Sequence, residues 1–88
     1  YTKNITFKIM KKLIKIYTTS WCGPCQMAKR LLSEKELKFE EIDIESKGWT
    51  REDLFKLTGG RTVPQIVIND QSIGGFDDLV KMDQEGKL

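Results

Sequence analysis

Leu13-Ile14-Lys15-Ile16-Tyr17-Thr18-Thr19-Ser20-Trp21-Cys22-Gly23-Pro24-Cys25 decides how this chain is read. Leu13 to Thr18 is a short run of β-branched and aromatic residues that suits a buried central strand, and it leads directly into the only two cysteines. Pro24 fits the first turn of a helix, where a missing N–H costs nothing. The cysteine pair is thereby placed at a helix N-terminus, whose unpaired N–H groups and macrodipole favour a thiolate at Cys22. Cys25, three residues on, lies one turn along and is placed to resolve a mixed disulfide. This spacing points to redox chemistry. A zinc site would require four N/S ligands, and the chain has no histidine and no third cysteine. A purely structural disulfide would close too small a loop to restrain much of the unfolded chain.

Working outward, Met27, Ala28, Leu31 and Leu32 recur at helical spacing from Pro24 to about Leu37, with Gln26, Lys29, Arg30 and Glu34 facing away. Phe39-Glu40-Glu41-Ile42-Asp43-Ile44 alternates apolar with acidic residues and predicts a strand with one wet face. Thr50 and Asp53 form a capping box that opens a helix carrying Leu54, Phe55 and Leu57, and Gly59-Gly60 stops it. Thr62-Val63-Pro64 leads into a strand at Gln65–Asn69. A turn at Asn69-Asp70-Gln71-Ser72 precedes a short returning strand at Ile73, and Asp77-Asp78 begin a last helix. The order β-α-β-α-β-β-α is that of an α/β fold. The helix-linked strands one and two run parallel and the last two strands form a hairpin, making a four-stranded mixed sheet flanked by three helices.

With 88 residues there is room for one small core. Residues 1–12 read as a lead-in or extension and 13–88 as the domain. A formal charge of +2 makes no case for nucleic acid, although Lys3, Lys8, Lys11, Lys12 and Lys15 concentrate the basic charge near the start. No stretch approaches the roughly 18 apolar residues of a membrane span. A lone Cys-x-x-Cys pair fits the cytoplasm, where thiols cycle catalytically, and a monomer is expected.

The element order is that of the thioredoxin-like fold, and the residues choose between two of its families. Trp21-Cys22-Gly23-Pro24-Cys25 resembles the thioredoxin active site. Gly60-Arg61-Thr62-Val63-Pro64-Gln65-Ile66-Val67-Ile68 and Ile73-Gly74-Gly75-Phe76-Asp77-Asp78-Leu79 resemble glutaredoxin, a likeness that covers about residues 13 to 88. Thioredoxin carries a further strand and helix before its active-site strand and a buried carboxylate where this chain has Ile16. By this resemblance the chain is identified as a dithiol glutaredoxin, a thiol–disulfide oxidoreductase that takes glutathione as co-substrate and needs no metal.

The resemblance implies roles. Cys22 is the nucleophile and Cys25 the resolving thiol, acting on disulfide-containing or glutathionylated proteins. Val63-Pro64 is a cis peptide that presents the Val63 backbone to glutathione. Thr62, Val63, Pro64, Gly75, Phe76, Asp77 and Asp78 line its site, the aspartates pairing with the γ-glutamyl ammonium or capping the last helix. Arg51 meets the glycine carboxylate, with Arg61 a second candidate. Two departures from the family pattern matter: Gly23-Pro24 replaces the usual tyrosine between the cysteines, and Thr19 stands where a lysine is common. Weaker glutathione catalysis, with electrons from a thioredoxin reductase and ribonucleotide reductase as client, is the alternative these departures raise. Iron–sulfur binding is a further alternative, against which Pro24 argues.

Overall fold

The computed structural model describes residues 13–88, so the lead-in expected over residues 1–12 lies outside the described residues. Strands β1 (Ile14–Thr18), β2 (Glu40–Asp43), β3 (Gln65–Ile68) and β4 (Gln71–Gly74) alternate with helices α1 (Gly23–Glu34), α2 (Arg51–Thr58) and α3 (Phe76–Gln84) in the expected order. The sheet runs β2-β1-β3-β4. β1 pairs parallel with β2, Ile16 opposite Glu41, and antiparallel with β3, Ile16 opposite Ile66.

The two-residue period of a strand sorts β1 between two cores. Ile14 and Ile16 join Ile66, Ile68, Ala28 and Leu32 of α1 and Leu79 of α3, while Tyr17 joins Ile44 and Leu54 of α2 on the other face. Full burial of each such side chain is worth about 1.5–3 kcal/mol, and together they hold α1 and α3 on one face and α2 on the other. The active-site helix therefore rests on the central strand that precedes it.

Three local readings are corrected. The helix expected to reach Leu37 ends at Glu34, because Glu36 takes a positive φ of 58° and Leu37 N–H returns to the Leu32 carbonyl at 3.0 Å. Leu37 is apolar because it folds back onto the core as part of this C-terminal cap. The turn expected over residues 69–72 is only Asn69-Asp70, with φ values of 51° and 67°; positive φ at both positions is what a two-residue hairpin turn requires, so β4 starts at Gln71. Met27, read as core, is 52% exposed. Phe55 and Leu57 are exposed too, since α2 buries only Leu54 completely. The capping box is present as read: Thr50 Oγ1 accepts from Asp53 N–H at 3.2 Å and Asp53 Oδ2 accepts from Thr50 N–H at 2.8 Å.

The wet face expected on β2 is also partly closed. Phe39 packs into the α1 side of the sheet, and Glu41 on that side accepts hydrogen bonds from Lys29 Nζ and Thr18 Oγ1, each at 2.9 Å. The Lys29 bond, with a smaller contribution from Thr18, holds the Glu41 carboxyl below the usual carboxylate range against an opposing effect of burial. A depressed folded pKa contributes stability above the unfolded value of ~4.3 and loses it as pH falls through the folded value. Wild type is therefore expected to exceed Glu41→Gln in urea stability by about 0.2–1 kcal/mol near neutral pH. The gap closes below about pH 4; a gap independent of pH would contradict the ionic account.

Candidate active site

β1 hands the chain to the cysteines through a tight bend in which Cys22 N–H donates to the Thr19 carbonyl at 3.4 Å. Cys22 is the N-cap of α1, with extended backbone angles, and its Sγ accepts from Cys25 N–H at 3.1 Å. A sulfur at this position takes the part that a serine or aspartate oxygen plays in an ordinary cap. Cys22 and Cys25 are joined as a disulfide across the first turn, their Cα atoms 5.2 Å apart. Cys22 keeps 4% of its surface and Cys25 none, so Cys22 is the accessible partner but is more covered than its place at the helix start suggested.

Part of that cover comes from the loop that enters the neighbouring strand β3, whose start lies beside the end of β1. The Val63 carbonyl oxygen lies 3.5 Å from Cys22 Sγ, and Val63-Pro64 is cis, as the resemblance implied. From there a groove of ≈ 320 Å³ runs along Pro24, Thr62, Val63, Pro64, Gly75, Phe76, Asp77 and Asp78. The structure thus brings to one groove every ligand candidate named from the sequence except Arg51 and Arg61.

The two aspartates part company. Asp78 Oδ2 accepts from Gly75 N–H at 3.0 Å and closes the first turn of α3, whereas the Asp77 side chain is exposed and forms no hydrogen bond or ion pair among the described residues. Gly74 makes this cap possible: its φ is +109°, and a methyl group there would overlap the Asp78 carboxylate.

The arginines belong to another cluster. Arg51 lies over the Trp21 ring at 5.7 Å from its centroid, and its Nη1 donates to the Arg61 carbonyl at 2.8 Å. Arg61 is engaged by Glu52 at 2.8 Å and stacks on Phe55 at 4.0 Å, which leaves it poorly placed for a ligand. Trp21 in turn donates to Glu45 Oε2 at 3.0 Å. Sequence reasoning missed this Trp21–Glu45–Arg51 cluster, since nothing local pairs these three residues. Thr19, read from the sequence as standing where a lysine is common, has a buried hydroxyl without a partner among the described residues.

The glutaredoxin family model matches residues 14–73, which span β1, the cysteine pair, the cis-proline loop and most of the hairpin. The chain belongs to the glutaredoxin family. Glutaredoxin 3 of Escherichia coli strain K12 is 45% identical over 75 residues, covering 85% of this glutaredoxin and 90% of that protein. The solution structure of a glutaredoxin from Brucella melitensis superposes with a TM-score of 0.69 at 38% identity, covering 85% and 82% of the two chains. The buckwheat glutaredoxin–glutathione complex shares the fold at a TM-score of 0.76 and 23% identity, over 98% of this chain and 81% of that one. This glutaredoxin is a glutathione-dependent thiol–disulfide oxidoreductase whose redox pair is Cys22 and Cys25. Among the described residues no helix is long and apolar enough to cross a membrane, and no group of three or more potential metal ligands comes together.

Proposed function

We propose that glutathione occupies the groove between the cis-proline loop and α3, with its sulfur at Cys22. The observation that carries this reading is the Val63 carbonyl, 3.5 Å from Cys22 Sγ and continuous with a groove that ends at the N-terminus of α3. A cysteinyl backbone laid along Val63 pairs as a short strand does, which puts its side chain beside the redox sulfur. The γ-glutamyl carboxylate then meets the free N–H groups of the first α3 turn, and Asp77 meets the ammonium. Thr62, Pro64, Gly75 and Phe76 shape the walls, and Asp78 supports the site by holding the cap. Arg51 has guanidinium donors beyond the one bonded to Arg61, and these are assigned to the glycine carboxylate.

Chemistry follows from the unequal cysteines. The Cys22 thiolate attacks the mixed disulfide of a glutathionylated protein, a new S–S bond forms between Cys22 and glutathione, and the protein thiolate leaves. A second glutathione thiolate attacks the glutathione sulfur, releases oxidised glutathione and returns Cys22. On a protein disulfide, Cys22 forms the mixed disulfide and Cys25 displaces the reduced protein, closing the Cys22–Cys25 bond. A cytoplasmic setting agrees with this cycling.

A second reading draws electrons from a thioredoxin reductase, with ribonucleotide reductase as a client. The buried Thr19, which supplies no cation for glutathione, favours it. Turnover of one disulfide substrate measured with glutathione and glutathione reductase, and separately with thioredoxin reductase, separates the two. Faster turnover in the glutathione arm is expected; exclusive coupling to thioredoxin reductase would displace the first reading.

A further inference from the structure

Lys29 has the helical phase of a solvent-facing residue, yet its side chain is only 21% exposed. Its ammonium and the Thr18 hydroxyl share one oxygen of Glu41, each at 2.9 Å, so α1, the end of β1 and the middle of β2 are joined through a single carboxylate. Lys29 stands four residues after Cys25, and Cβ atoms at that spacing are ~5–6 Å apart. Helical side chains lean toward the N-terminus, which carries the lysine stem over the turn holding Cys25. Of the other charged groups on α1, Arg30 and Glu34 pair with each other in solvent. Glu41 is an ionised partner and no proton shuttle, because the Lys29 bond keeps its carboxyl below the usual range.

Reduction of the Cys22–Cys25 bond makes a demand at this place. A reductant thiolate forms a bond to Cys22 Sγ, the Cys22–Cys25 bond breaks, and the electron pair leaves on Cys25 Sγ, which later takes a proton from water. A second reductant thiolate then frees Cys22 and leaves the reductant as its disulfide. Cys25 is wholly buried, so its departing thiolate lacks water to solvate it, and an unsolvated anion is disfavoured.

We infer that Lys29, held by Glu41 and Thr18, is a positioning residue that stabilises the thiolate leaving on Cys25, with Glu41 setting the limit of that stabilisation. Cancellation of opposite charges is the core of the arrangement. A brace that merely held α1 on the sheet would be weakened alike by loss of either partner. An electrostatic device responds with opposite signs.

The test uses the full chain, oxidised, with dithiothreitol as reductant followed by tryptophan fluorescence, and the equilibrium with glutathione as a second readout. Lys29→Gln leaves the Glu41 charge uncompensated, and is expected to slow reduction about three- to tenfold and to shift the equilibrium toward the disulfide. Glu41→Gln leaves the lysine uncompensated, and is expected to speed reduction by a comparable factor and to shift the equilibrium toward the dithiol. The double variant, neutral at both positions, is expected to return close to the wild-type rate. Its return supports the inference even where a single variant folds poorly. Single variants that shift both readouts in the same direction, or a double variant as impaired as Lys29→Gln, would overturn it in favour of a brace. Rates within about 1.5-fold of wild type in all three would overturn it outright.

Discussion

Cys22→Ser is expected to abolish every thiol–disulfide exchange of this glutaredoxin, while Cys25→Ser spares the removal of glutathione from mixed disulfides and slows or traps the reduction of protein disulfides. Cys25 is the only other thiol and has no exposed surface, so without Cys22 no sulfur remains that an incoming disulfide can reach. Cys22 also sits at the cap of α1, where its sulfur accepts a backbone N–H, the environment that favours a thiolate. Without Cys25 the glutathione route still closes, because a second glutathione does the resolving. The dithiol route stops at the mixed disulfide between Cys22 and the protein. Parallel assays on a glutathionylated peptide and a protein disulfide, with mass spectrometry for trapped adducts, read both outcomes. Loss of both reactions in Cys25→Ser with neither lost in Cys22→Ser would reverse the roles.

Asp77→Ala is expected to lower glutathione-dependent turnover about tenfold, with little change in chemical reduction of the Cys22–Cys25 disulfide by dithiothreitol. A charge-assisted hydrogen bond contributes roughly 1.5–3 kcal/mol, and about 1.4 kcal/mol is a factor of ten. Asp77 is chosen because Asp78 already serves α3: its carboxylate accepts the Gly75 N–H. Asp78→Ala is expected to appear first in stability, at about 0.5–2 kcal/mol for a lost cap, and in turnover as a consequence. Steady-state kinetics over a range of glutathione concentrations, beside urea unfolding of each variant, distinguishes the two. Undiminished turnover in a folded Asp77→Ala protein would remove the γ-glutamyl contact and strengthen the thioredoxin-reductase reading.

These expectations rest on features of unequal legibility. The redox pair, the order of elements and the box between Thr50 and Asp53 were readable because each depends on residues within a turn of one another. Helix length was misread at Leu37 for the same local reason: periodicity reports which residues turn inward, and Leu37 is partly buried by a cap that reverses the chain. Met27 satisfied the helical spacing of a core residue, but α3 leaves it half uncovered. The division of work between Asp77 and Asp78 was open in the sequence, since either residue type caps a helix or binds a cation.

From the sequence alone came the chemistry, two sulfurs at a helix start, and the alternation of strands and helices that places that helix on a central strand. Short-range physics is enough for this: side-chain period, capping and the fixed φ of proline act within a few residues. Tertiary structure alone decided what surrounds the sulfurs. Val63, 41 residues from Cys22, comes to it because β3 lies beside β1 in the sheet, and Glu41 meets Thr18 and Lys29 because β2 flanks β1 on the other side. Such pairings follow from strand order and register, which a chain settles only when its apolar faces are buried together.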